Sequence, residues 1–182
     1  MKFSSYLVGL LLLGLASGAN AQSWYDGQQE RRLYVDQLLR AQIDFPEAEA
    51  STRTASAQTQ PGPARIRLVR DETREARRAR TEQAASSGAQ LVPVYRDFPH
   101  GPLRVASGGV LLRLPADWSL EQQAQWLAQE DLAVINSPNA SNGYWLVASP
   151  PGEASLALAA ELFQQPEVIS ASPNWWQPRV KR

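Results

Sequence analysis

Gly109-Val110-Leu111-Leu112-Arg113-Leu114-Pro115-Ala116-Asp117-Trp118-Ser119-Leu120 is the stretch from which the chain is best read. Val110, Leu112 and Leu114 alternate with Leu111 and Arg113, the pattern of a half-buried strand. The flexible Ser107-Gly108-Gly109 precedes it and Pro115 ends it. Ser119 then caps a helix on which Leu120, Ala124 and Leu127 recur at helical spacing, with Glu121 and Glu130 on the wet side. Residues 132–136 read as a second strand. Pro138-Asn139-Ala140-Ser141-Asn142-Gly143 is dense turn chemistry, and residues 144–148 follow as an aromatic-rich third strand, which predicts a hairpin. Pro151-Gly152 opens a second helix with Leu156, Ala160 and Phe163 on its buried stripe; Pro166 ends it, and residues 168–171 form the last strand.

The order β-α-β-β-α-β predicts an α+β fold: a ferredoxin-like βαββαβ split sheet in the C-terminal half, preceded by helical and linker segments. Right-handed crossovers put both helices on one face. Trp145 and Val147 share one side of their strand and Leu111 and Arg113 one side of theirs, so apolar surface is expected on the uncovered face, where a partner would bind.

Working towards the N-terminus, residues 65–90 read as an Arg-rich helix and linker. Arg65, Arg67, Arg70, Arg74, Arg77, Arg78 and Arg80 are interspersed with Asp71, Glu72, Glu75 and Glu82. Pairs such as Asp71 with Arg74 and Glu75 with Arg78 make it a solvated face rather than a phosphate-binding one. Residues 46–64, rich in Ser, Thr, Ala and Gln around Pro61-Gly62-Pro63, read as a linker. Over residues 22–45, Val35, Leu38, Leu39 and Ile43 fall on one side of a 3.6-residue period, which predicts an amphipathic helix stopped by Pro46. Residues 1–21, with Lys2, an apolar run and Ala19-Asn20-Ala21, read as a secretory signal peptide cleaved after Ala21. The apolar run is short for a bilayer crossing, so no membrane span is expected and the chain is placed in the periplasm or outside the cell.

Composition removes most chemistries. Eighteen Lys+Arg balance 18 Asp+Glu, which gives no pull toward nucleic acid. There is no Cys and one His, so disulfides, thiolate nucleophiles, Cys-ligated metals and two-His metal motifs are absent, and neither a cofactor nor a metal is expected. His100 lies in a loop with no nucleophile motif nearby, and Glu130-Asp131, the adjacent acidic pair of this region, reads as solvated; the chain is not read as an enzyme.

The stretch 109–119, Leu146-Val147 closing a strand, Leu162-Phe163-Gln164-Gln165-Pro166-Glu167 and Val168-Ile169-Ser170-Ala171-Ser172-Pro173-Asn174 together resemble the N-terminal propeptide of subtilisin-like serine proteases. The resemblance spans residues 91–182. It implies a βαββαβ fold whose open face packs on a subtilisin-like serine protease and whose C-terminal tail lies in the substrate cleft, inhibiting the enzyme and assisting its folding. The family's Pro-Gly opening is Pro115-Ala116 here, two aromatics follow Pro-Asn, and no catalytic blocks are present.

The tail that would occupy the cleft is Trp175, Trp176, Gln177, Pro178, Arg179, Val180, Lys181 and Arg182. An extended segment adds to a cleft edge through main-chain bonds, and tryptophans are efficient anchors. The alternative is that Trp175 and Trp176 close the protein's own core and the cations form a solubilising end. A second functional reading keeps the same sheet but makes it an envelope protein-binding module with no protease partner.

Overall fold

The computed structural model describes residues 22–45, 64–70, 73–139 and 142–178; the expected signal peptide and nearly all of the expected linker lie outside these. Among the described residues, eight strands form one curled antiparallel sheet, accompanied by three helices, a mixed α/β architecture.

Residues 22–45 are a hairpin, not the amphipathic helix that the 3.6-residue spacing suggests. β1 (Gln22–Asp26) pairs antiparallel with β2 (Gln29–Asp44), Asp26 opposite Gln29. Gly27 takes φ +62° in the two-residue turn while Gln28 stays out of that region, the pattern of a type II′ turn. The odd positions Leu33, Val35, Leu39, Ala41 and Ile43 are buried or half-buried, Leu33 and Val35 beside Tyr95 on one side of the sheet and Ala41 and Ile43 beside Val92 and Val94 on the other, whereas Leu38 is 56 % exposed. An alternating pattern was therefore present, and Leu38 supplied a false helical neighbour. The Asp36 carboxylate interrupts β2 by accepting from the N–H groups of Leu38 and Leu39, each at 2.9 Å. The pairing of β2 with its next neighbour jumps there from Val35 to Arg40.

The Arg-rich segment divides. β3 (Arg65–Arg70) pairs with β2 because Ile66 and Leu68 alternate with Arg65 and Arg67. α1 (Arg74–Ser86) starts after Thr73, whose hydroxyl accepts from the Ala76 N–H at 3.1 Å. Arg78 pairs with Glu82 at 3.1 Å rather than with Glu75.

β4 (Gln90–Arg96) pairs with β2 and with the start of β5 (Leu103–Arg113), so the sheet runs without a break across the boundary expected at Leu91. After β5 come α2 (Leu120–Gln129), β6 (Val134–Asn136), β7 (Trp145–Val147), α3 (Glu153–Phe163) and β8 (Ser170–Trp176). β5 pairs on one edge with β7, which pairs with β6, and on the other edge with β8.

Ser119 closes a complete capping box with Gln122 at the start of α2. The buried stripe of this helix is Gln123, Trp126 and Leu127, and the expected Leu120 is exposed. α3 buries Leu156 as expected, together with Ser155, Ala159 and Leu162. Both helices pack on Val110, Leu112, Trp145, Val147 and Ala171, and so cover one face of the sheet. Gln123 satisfies the polar groups of this core: its amide oxygen accepts from Trp145 Nε1 at 2.7 Å, and its amide nitrogen donates to the carbonyls of Pro115 and Trp118.

Candidate functional site

β5 carries the whole sheet through one irregular turn of backbone. At Ser107-Gly108-Gly109 its register with β8 shifts between Ala106 and Val110, and Gly108 and Gly109 adopt φ +102° and +77°. A Cβ on Gly109 would lie 2.9 Å from Leu146 Cδ1, so glycine is required both by conformation and by room. The irregularity is bonded on both sides. Ser107 Oγ donates to the Asn174 carbonyl at 2.8 Å, and Asn174 Nδ2 donates to the Gly108 carbonyl at 3.2 Å. Opposite, the Gly109 N–H donates to the Ser149 carbonyl and the Gly152 N–H to the Ala106 carbonyl, both at 2.9 Å. The Pro173-Asn174 pair of the sequence thus buries its proline and ties down the bulge with its asparagine.

Side chains alternate across this strand. Val110 and Leu112 face the helices, while Leu111 stands opposite Leu146 and Ser172 on the other face. That second face is not fully bare: Leu111 and Leu146 are half-buried, and a groove of about 520 Å³ crosses it. Leu146 and Ile135 line the groove from the C-terminal strands, and Phe45 and Ile66 line it from the N-terminal ones. Trp176 and the bulge backbone complete it, and among the described residues no ionisable side chain lines it. Its described lining is mainly apolar, with the Ser107 and Ser149 hydroxyls and the Asn174 amide as its polar side chains.

Part of the expected tail belongs to the fold. Trp175 and Trp176 belong to β8, opposite Ala106 and Val105, so neither is a free tail anchor. Trp175 faces the helix-covered side, where its ring lies edge-on to Trp24 and to Tyr95. Trp176 faces the groove. Gln177 is exposed and Pro178 half-buried, while Arg179, Val180, Lys181 and Arg182 lie outside the described residues.

The hairpin holds Trp175 in place, a role that the sequence reading missed; Asp26-Gly27 was the available signal. Trp24, Leu33, Tyr95 and Leu156 are buried in one cluster with Trp175 against it. Tyr25 stacks on Phe163 with ring centroids 3.8 Å apart. The Arg104 guanidinium, held in a two-point pair with Asp97 at 2.6 and 2.9 Å, lies 5.2 Å from the Trp24 ring centre and 6.0 Å from that of Trp175. Burial raises the pKa of the Tyr95 phenol, the Glu153 charge adds to this, and Tyr95 is neutral at any physiological pH.

A second ion pair secures the β2 bulge. Arg96 Nε donates to Asp36 at 2.7 Å, and Arg96 Nη1 donates to the Gly101 carbonyl. Desolvation works to raise the Asp36 pKa, but Arg96 and the two backbone N–H groups outweigh it and the net shift is downward.

His100 is exposed at φ +66° in the turn before β5, and Glu130 and Asp131 are exposed after α2. Among the described residues, no three His, Cys, Asp or Glu side chains gather to hold a metal ion, and no helix is long and apolar enough to cross a membrane. Comparison with protein-family models, curated proteins and solved structures finds no match.

Proposed function

We propose that this chain is an exported, non-enzymatic inhibitor and folding assistant of a subtilisin-like serine protease, built on a ferredoxin-like module that begins at β5. The observation that carries the reading is the pairing order β8-β5-β7-β6, with α2 and α3 together on one face. In chain order this is fourth, first, third, second, the order of a split βαββαβ sheet. The face away from the helices, with Leu111, Leu146 and Ser172, is the docking surface. The tail that enters the substrate cleft starts at Gln177, because Trp175 and Trp176 are used within the sheet. Its action is steric: the sheet face docks on the enzyme and the tail fills the cleft.

The test is hydrolysis of a chromogenic peptide by a panel of secreted subtilases, with and without the protein, together with the yield of active enzyme on refolding. Slowed hydrolysis for at least one enzyme is the expected result. No effect on either readout across the panel would overturn the reading.

A second reading, an envelope protein-binding module with no protease partner, is favoured by one feature. The N-terminal strands share the sheet, and Phe45 and Ile66 line the same groove as Leu146, an addition that a bare propeptide module does not need.

A further inference from the structure

β3 lies at an edge of the sheet: among the described residues it pairs with β2 alone. An unpaired edge presents a row of main-chain donors and acceptors to any extended chain. Over Arg65–Leu68 the side chains of β3 alternate in kind as well as in direction; beyond them the order reverses, with Val69 buried on the arginine side and Arg70 exposed on the other. Ile66 stands opposite Ile43 and Leu68 opposite Ala41, on the apolar side, and Ile66 continues into the groove beside Trp176. Arg65 and Arg67 project to the other side and are exposed.

Neither arginine has a carboxylate within ion-pair distance among the described residues, although Asp44 stands opposite Arg65. The Asp44 carboxylate instead accepts from Gln42 Nε2 at 3.0 Å. Among the described residues, two neighbouring guanidinium groups thus face out from one side of an open edge without an ion pair, with Asp44 across from Arg65 as the nearest register partner of opposite charge, next to an apolar groove on the other side.

We propose that the outer edge of β3 is a docking site for an extended peptide that alternates apolar with acidic side chains. Added as a strand, such a peptide sets its apolar residues beside Ile66 and Leu68 and its carboxylates beside Arg65 and Arg67. Main-chain bonds supply the hold and the two guanidinium groups select the sequence. The site is separate from the protease-facing tail, and the proposal stands whether or not the protease reading does.

The probe is a capped hexapeptide alternating valine and glutamate, with its valine–lysine counterpart as control, titrated into the ¹⁵N-labelled protein while amide exchange is followed residue by residue. The expected result is slowed exchange at alternate β3 amides with the glutamate peptide only. In the double variant Arg65→Glu, Arg67→Glu the preference should pass to the lysine peptide, with a change of about tenfold in each affinity. Both substitutions are at exposed positions, and an unchanged circular-dichroism spectrum verifies folding. Equal binding of both peptides, protection at β6 instead of β3, or a double variant that aggregates while the parent shows no β3 protection would each overturn the proposal. The last outcome would make the arginines guards against edge-to-edge association.

Discussion

Trp24 in the first strand and Trp175 in the last meet edge to face, their ring centroids 5.3 Å apart at 73°. The two ends of the described chain are thereby packed into one aromatic cluster with Tyr95, and the C-terminal strand depends on the N-terminal hairpin. Trp24→Ala is expected to destabilise the protein by about 3 kcal/mol, as loss of a large buried aromatic does, and Trp24→Phe by about 1 kcal/mol. Urea titration followed by far-ultraviolet circular dichroism measures both. Equal stability of Trp24→Ala and the parent would detach the hairpin from the account.

The Asp36–Arg96 pair makes stability depend on pH. The folded-state pKa of Asp36 lies below its unfolded value, so its contribution is fully present above roughly pH 4 and is lost as pH falls through the lower folded value. Asp36→Asn should cost about 1–2 kcal/mol at neutral pH, and the gap between variant and parent should close in acid. Thermal melts of both proteins across the acidic range decide this; a gap that persists unchanged to the lowest pH would contradict it.

Glycine is demanded at Gly152 and not at Gly143. Gly152 has φ +79°, and a Cβ there would sit 3.0 Å from Val92 Cγ1, whereas nothing lies within 4 Å of one on Gly143. Gly152→Ala is expected to cost about 2 kcal/mol and Gly143→Ala to stay within about 0.5 kcal/mol of the parent. Paired denaturation curves test the contrast.

Gln123 is a buried amide whose partners leave it no substitute. Gln123→Leu strands the Trp145 N–H and removes the donor to the Pro115 and Trp118 carbonyls, an expected loss of about 2 kcal/mol. A stability equal to that of the parent would mean that those groups find water.

The C-terminal elements were legible in the sequence because their punctuation is strong. Ser119, Pro115, the Pro138 to Gly143 cluster and Pro151-Gly152 each mark a boundary within a few residues of the one observed. Helix faces were less legible: in α2 the buried positions follow Trp126 and the polar Gln123, while Leu120 is left outside. The N-terminal half misled for a physical reason. In β2 the bulge at Asp36 loops out residues that include an exposed leucine, and in β3 the arginines read as helix formers although Ile66 and Leu68 alternate with them. The groove was not legible, because it joins Phe45 and Ile66 to Leu146 and Trp176 across long sequence separations that no local pattern encodes.

Docking of the open sheet face on a subtilisin-like protease is tested most directly by inhibition constants for three forms of the protein. These are the full chain, a chain ending at Pro178, and the double variant Leu111→Glu, Leu146→Glu with folding verified by its melt. The expected result is inhibition by the full chain, about tenfold or more weaker for the double variant, since two charges would be buried on docking. The shortened chain should retain its fold and the sheet contribution while losing cleft occlusion. Inhibition that is the same for the full chain and the folded double variant, or absent from every subtilase tried, would contradict it.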